Sequence, residues 1–483
     1  MRTRSNSIRV SLIAAAILAG LAAARGSEAD EIKLLREQIQ LLDQKLHVLE
    51  QKQEQRDEAE AAAKKAAVTA PRPAAATATA SDSGFAITSE DKAFDLKFHA
   101  LVQFDVRTFL DDGAPNRGQF LLRRIRTPLT GTVDGIYDFN ITPELGGGTN
   151  SSTTVALWDA YAAARFSPEF GVKVGKFSSP VGLEPGANRH FIESPFVNSL
   201  LPNRDLGAEF FGAVFGGVVE YRVGAFNGVA NNTTNFGGAS TDLNDGDKTI
   251  EGRLTVNPLK NVTKGPLSKV SLGFGFSSGH EQGLAGANLS NGLSNISSQA
   301  QQAIFSYGSL LYANGQHVRL SPSIEWYPGN PFSAVAEYAR DRQDISVNPI
   351  APVRTFTNTA WRGTVGYVLT GEAATKAGVN PKTVFNASNG TWGAFEVVSR
   401  ISNLSIDSDF FHPVAAGGAG INRANNVESA YAYGVGLNWY LNRNFRFMIN
   451  LEQTNFAGGK TPTAAVGAQD DETALLSRIQ LSF

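Results

Sequence analysis

Three arginines crowd one stretch, Arg123-Arg124-Ile125-Arg126. A guanidinium keeps its charge at any relevant pH and presents a planar fork of donors that matches oxyanions. Arginines lining a narrow passage would attract phosphate-like ions and partly replace their hydration, so long as no single site holds them too well. Other chemistries have little support. Gly171–Phe177 (GVKVGKF) is one residue short of a phosphate loop between its glycines and lacks the following Ser or Thr. Gly273–Gly279 (GFGFSSG) lacks dinucleotide spacing. The six histidines (His47, His99, His190, His280, His317, His412) are dispersed, with no HExxH or paired ligand spacing, so neither a metal nor another cofactor is expected. A hydrolase would need a nucleophile beside a base such as His99 or His317, and no nucleophile stands out. With no Cys, thiol chemistry is excluded.

The elements that must carry the arginines are strands. The last nine residues, Leu475–Phe483, place Leu475, Ile479, Leu481 and Phe483 on one face and Leu476, Arg478, Gln480 and Ser482 on the other. Such a strand suits a barrel with lipid outside and water inside, its terminal ring in the interfacial aromatic belt. At the other end, Arg2, Arg4 and Arg9 precede an apolar run from Val10 to about Ala24, which reads as a secretory signal peptide cleaved after Ala24 or Ala29. No later apolar run is long enough for a spanning helix, so any spanning must be by strands.

From about Lys92 the period is two. The first segment sets Phe98, Ala100, Val102, Phe104 and Val106 outward and Lys97, His99, Gln103, Asp105 and Arg107 toward a lumen. Further segments follow at 119–130, 135–142, 153–166, 170–177, 213–226 (one or two strands), 249–256, 269–277, 316–327, 333–342, 357–370, 391–404, 429–441 and 445–456. The expectation is an all-β transmembrane antiparallel barrel of about sixteen strands, wide enough for an aqueous channel. Alternation places Arg124 and Arg126 on one face and Arg123 with Ile125 on the other. The lumen is assigned to Arg124 and Arg126, because two charges facing lipid would cost several kcal/mol.

Before the barrel, Ile32, Leu35, Ile39, Leu42, Leu46 and Leu49 recur at 3-4 spacing, a short coiled-coil seam of about three heptads. Ile at two of its three a positions with Leu at d favours two strands. Residues 61–83, rich in Ala, Thr and Pro, read as an unfolded spacer. The expected organisation is signal peptide 1–29, periplasmic coiled coil 30–58, linker 59–90 and barrel 91–483. Long Gly/Asn/Ser-rich connections at 227–247 and 279–299 read as extracellular loops. The connection 178–207 differs: Phe191, Ile192, Phe196, Val197, Leu200 and Leu201 would be buried only if it folded into the lumen and narrowed the pore.

Charge is nearly balanced. Of 43 Lys and Arg, 12 fall in residues 1–89, leaving 31; of 45 Asp and Glu, 11 fall there, leaving 34. A broadly basic nucleic-acid binder is excluded, and any preference for anions must come from local placement.

The chain resembles the phosphate-selective porin O and P family of outer-membrane channels. The resemblance rests on Arg123–Arg126, on GKFSSPVGLE at 175–184, NRDLG at 203–207, FNG at 226–228 and GRL at 252–254, and on LTGE at 369–372, WGAFEVVSR at 392–400 and GLNWYLN at 436–442. It implies a sixteen-stranded homotrimeric porin whose third loop constricts each pore. That makes its partners outer-membrane lipid and lipopolysaccharide, the barrel-assembly machinery, and small anions as permeants. Carried onto this chain, the constriction offers Arg189 and Arg204, with His190 beside them, to join Arg124 and Arg126 in binding anions. The stretch departs from the phosphate-specific pattern: it has no lysine, and Glu184, Glu193 and Asp205 oppose its two arginines. Passage of small anions, phosphate or related oxyanions among them, is expected, the alternatives being a general-diffusion porin or a barrel-anchored cell-wall tether.

Overall fold

The computed structural model describes residues 28–69, 76–111, 118–147, 155–183, 190–233, 246–262, 264–283, 291–348, 351–459 and 471–483. Nearly all of the expected signal peptide, and Arg189, lie outside the described residues. The chain divides into two units, Met1–Ala75 and Ala76–Phe483.

In the first unit, α1 spans Glu28–Thr69. Its Leu, Glu, Gln, Lys and Ala are strong helix formers, and neither Gly nor Pro interrupts it. It runs past the expected end at 58, because the Ala- and Lys-rich segment from Ala61 continues the same propensity. The six seam residues are each more than half exposed in the single chain. No helix among the described residues is long and apolar enough to cross a membrane.

The second unit opens with three short strands, β1 (Thr77–Ser81), β2 (Gly84–Thr88) and β3 (Asp95–Phe98), so the spacer reading of residues up to 83 gives way to paired structure from Thr77. Sixteen wall strands then close an antiparallel barrel. They are β4 (Leu101–Phe109), β5 (Gly118–Arg126) continued by β6 (Leu129–Val133), β7 (Tyr137–Glu144), β8 (Ala156–Ser167), β9 (Phe170–Ser178), β10 (Arg204–Val214), β11 (Val219–Phe226), β12 (Thr249–Val256) and β13 (Val270–Gln282). After two short strands inside a loop, β14 (Ile296–Ser297) and β15 (Ala303–Phe305), come β16 (Tyr312–Trp326), β17 (Phe332–Ser346), β18 (Arg354–Val368), β19 (Ala394–Ser405), β20 (Val427–Tyr440), β21 (Phe445–Gly458) and β22 (Glu472–Ser482). Each wall strand pairs with the next, and β22 pairs with β4 to close the ring. The segment expected as one strand at 119–130 breaks at Thr127-Pro128, since proline has no N–H for the ladder. Similarly, 213–226 resolves into the end of β10 and all of β11, joined through Phe215, Gly216 and Gly217, all at positive φ. Lys97 and His99 precede the first wall strand, which starts at Leu101. Lys97 instead bonds Asp95 beside it.

The distribution of side chains is inverted relative to a water-soluble protein. Phe104, Leu122, Phe210, Phe274, Ile324, Val365, Ile401, Leu451 and Ile479 are exposed on the outer face, whereas Gln103, Asp105, Arg107, Glu209, Arg319, Arg400 and Arg478 are buried inside. Only a lipid surround makes that arrangement favourable.

Two connections fold inward. The β9–β10 loop (179–203) buries Phe191, Ile192, Phe196, Val197, Leu200 and Leu201 to 2% exposure or less, and its short 3-10 turn Phe196–Leu200 packs on β17, β18 and β19. Wall side chains satisfy its backbone: Leu183 N–H donates to Glu337 (2.8 Å) and Ile192 N–H to Asn450 (2.8 Å), while Asn438, Arg478 and Arg400 donate to the carbonyls of His190, Ile192 and Glu193. The β13–β16 connection also departs from the expected water-exposed loop. The strand β13 continues to Gln282, and the β14–β15 hairpin packs Ile296, Ile304, Phe305 and Tyr307 against Phe356, Phe410 and Val427. Ile296 falls inside the 279–299 window read as a loop, whereas Ile304, Phe305 and Tyr307 lie just beyond it.

Candidate functional site

The arginine-rich strand owes its geometry to a β-bulge. Gln103 of β4 faces Arg124 and Phe104 faces Leu122, leaving Arg123 as the extra residue on β5. The bulge resets the alternation, so Arg123 joins Arg124 on the inner side instead of facing lipid. Arg124 donates to Gln103 Oε1 at 2.8 Å. Arg123 reaches the inward loop: its Nε and Nη2 donate to Glu193 at 2.7 and 3.1 Å. Arg107 Nη2 donates to the same carboxylate at 2.7 Å, and Arg478 Nη2 lies 3.9 Å away while its fork grips Asp105 at 2.6 and 2.7 Å. Burial alone would raise the Glu193 carboxyl, but Arg123 and Arg107 hold it well below the usual carboxylate range. Four arginines (Arg107, Arg123, Arg124, Arg478) thus meet two carboxylates (Glu193, Asp105) where the loop crosses the lumen.

Arg126 and Arg204 form a separate group. Arg126 bonds Glu144 (2.6 Å) and lies over the Trp158 ring, 3.6 Å from its centroid. Arg204 bonds Asp159 (2.9 Å) and lies 4.0 Å from the same centroid. Of the four expected anion-binding residues, Arg124 therefore sits in the cluster at the loop, Arg126 and Arg204 share Trp158, and Arg189 falls outside the described residues. His190 is half-buried and stacked on Tyr327, and desolvation lowers its pKa against the opposing pull of Glu396, so it is neutral at neutral pH. Asp205 accepts from the N–H groups of Leu206 and Gly228, which makes it a clasp for the loop base.

Against the loop lies a cavity of ≈ 500 Å³ whose lining includes Arg222, Arg253, Arg362, Arg400, Lys376 and Tyr327. Four of its five cations are paired: Arg222 with Glu209 (3.0 Å), Arg362 with Glu337 (3.1 Å), Arg400 with Glu452 (2.9 Å) and Lys376 with Glu325 (2.5 Å). Arg253 instead donates to two neutral acceptors, Val181 O (3.0 Å) and Ser323 Oγ. The lining also carries the carboxylates of Glu193, Glu220 and Glu325, so an ion in this cavity meets both signs of charge, with Arg253 the cation whose hydrogen-bond acceptors are neutral.

The family model for the phosphate-selective porin O and P proteins matches residues 94–483, the whole barrel. The chain belongs to that family. Comparison with curated proteins found no match. Among solved structures, this porin is similar to the outer membrane channel DcaP of Acinetobacter baumannii (TM-score 0.53, 10% identity, covering 83% of this chain and 100% of that one). It is also similar to an anion-selective porin from Comamonas acidovorans (TM-score 0.50, 12% identity, 81% and 100%). At those identities the likeness concerns the fold, a sixteen-stranded outer-membrane channel.

The arginines of this porin's loop cluster and cavity that sequence reasoning did not single out as a site are Arg107, Arg123, Arg222, Arg253, Arg362, Arg400 and Arg478. Arg253 and Arg400 stand inside the motifs that carried the resemblance, GRL and WGAFEVVSR, and Arg478 on the inner face of the terminal strand. Arg222 and Arg362 stand in none of those motifs, and Arg123, though part of the Arg123–Arg126 stretch, is turned inward by a bulge that leaves no mark in the alternation. As for the hydrolase alternative, His317 lies between Glu281 (2.6 Å) and Asp341 (2.5 Å), which engage both ring nitrogens. It has no nitrogen left to take a proton from a nucleophile. His99 meets Thr130 Oγ1 at 3.3 Å, outside any triad.

Proposed function

We propose that this porin passes small anions, phosphate-like oxyanions included, with preference set where the inward loop crosses the lumen. The observation that carries the reading is the excess of four arginines over two carboxylates around Glu193. In a narrow passage between low-dielectric walls the nearest charges set the field, so this local excess outweighs the slightly acidic composition of the barrel as a whole. The anion selectivity named for the Comamonas acidovorans porin accords with it. Unselective diffusion is the second reading, favoured by the pairing of four of the five cavity cations. Planar-bilayer conductance separates them: replacing chloride by a bulky anion should cut the current more than replacing potassium by a bulky cation, and equal cuts would favour diffusion.

The same proposal places α1 in the periplasm, its exposed seam of Ile32, Leu35, Ile39, Leu42, Leu46 and Leu49 packing against the same helix of other copies in a homotrimer. Crosslinking through Leu42→Cys should then trap oligomers.

A further inference from the structure

The group around Glu193 has the form of an oxyanion site that already holds an anion, and that anion belongs to the protein. Both Glu193 oxygens are bound: Oε1 accepts from Arg107 Nη2 and Arg123 Nε, and Oε2 accepts from Arg123 Nη2. The fit is incomplete. Arg107 is 2% exposed, yet its Nε has no acceptor. A buried guanidinium donor without a partner costs about 1–3 kcal/mol, so natural sites rarely leave one without a purpose. A carboxylate brings two oxygens in a plane, whereas phosphate or sulfate brings four in a tetrahedron and can meet donors from more directions. Charge points the same way. Arg107, Arg123, Arg124 and Arg478 outnumber Asp105 and Glu193 by two, so a divalent oxyanion in place of the Glu193 carboxylate would bring this group closer to balance.

We propose that Arg107, Arg123 and Arg478 form a binding site for tetrahedral oxyanions, and that Glu193 is a tethered competitor that occupies it when no such ion is bound. The inference rests on the anion-channel reading and deepens it by naming a means of release. A competitor fixed on the loop has a high effective concentration, so it keeps the residence of any passing ion short. It also ties the ion to the loop. When phosphate or sulfate takes the arginines, Glu193 is displaced, and the neighbouring N–H of Ile192, which donates to Asn450 at 2.8 Å, loses part of its anchorage.

Two measurements test this. In bilayers, Glu193→Gln keeps the shape and removes the charge. Its chloride current should be half-blocked by inorganic phosphate at a concentration at least tenfold lower than for the unaltered protein, and adding Arg123→Gln should abolish the gain. A Glu193→Gln porin that assembles, shown by heat-modifiable mobility, yet is blocked no more readily would overturn the proposal. In the unaltered porin, sulfate should speed hydrogen exchange in segment 190–200 relative to chloride at equal ionic strength. Equal exchange in the two salts would overturn it even if Glu193→Gln failed to assemble. Zero-current potentials taken in the same bilayers keep the two readings apart: anion preference with no gain in block refutes the tethered competitor alone, whereas lack of anion preference in the unaltered porin refutes the channel reading.

Discussion

Arg253 offers the sharpest test of how charge in the cavity acts, because its acceptors are a carbonyl and a hydroxyl. A sphere with the cavity's volume of ≈ 500 Å³ has a radius near 5 Å, which puts a centred ion about 6 Å from a lining charge. At that distance a unit charge acts with about 0.7 kcal/mol in a fully watery passage and about 3 kcal/mol at an effective dielectric constant of 20. Removing it disfavours the anion and favours the cation by the same amount, so even the watery limit changes the chloride-to-potassium permeability ratio by about tenfold. At 0.1 M salt, where a screening length of about 10 Å roughly halves the watery figure, Arg253→Ala should lower that ratio by about fourfold or more. The effect should shrink strongly at 1 M, where the screening length is about 3 Å. The assay is the zero-current potential across a potassium chloride gradient, with Arg165→Ala as control, since Arg165 is largely exposed and pairs with Asp138. A ratio within about twofold of the unaltered protein at low salt would show that ions do not pass this cavity.

Arg124→Glu should shift the zero-current potential toward cations more than Arg126→Glu, because Arg126 is already matched by Glu144 at 2.6 Å; equal shifts would refute the different roles given to the two. Phe483, whose ring packs against Phe85 and Phe98, should be needed for assembly, so Phe483→Ser should reduce the heat-modifiable barrel recovered from the outer membrane. Deleting 28–69 should leave that barrel intact, since the helix belongs to a separate unit. The Glu193 anchor has a depressed pKa, so it is fully present above the ordinary carboxylate value of 4.5 and is lost as pH falls through its lower folded value. Channel noise should accordingly stay constant from neutral pH down to that ordinary value and rise only below it.

Alternation made most of the wall legible, because a strand between lipid and water must place Ile479 and Leu481 outside and Arg478 and Gln480 inside. The inward loop was legible from Phe191, Ile192, Phe196, Val197, Leu200 and Leu201, which no water-exposed loop would keep. Arg123 was misplaced because alternation assumes an unbroken ladder, and nothing in the side chains from Gln103 to Arg126 announces an extra residue. The β14–β15 hairpin was hidden by its Gly-, Asn- and Ser-rich approach, since the buried Ile296 is isolated among polar residues and Ile304, Phe305 and Tyr307 come only after the segment read as a loop. The pairing of arginines with acids could not be read at all: Arg400 and Glu452 lie on different strands, and only the strand order brings them to 2.9 Å.

The most direct measurement is the zero-current potential of the unaltered porin across a tenfold potassium chloride gradient at low salt. An arginine excess at the crossing of the loop predicts a potential on the chloride side of zero, collapsing toward zero when Arg124 and Arg123 are both replaced by Gln. A potential at zero or on the potassium side would contradict the account.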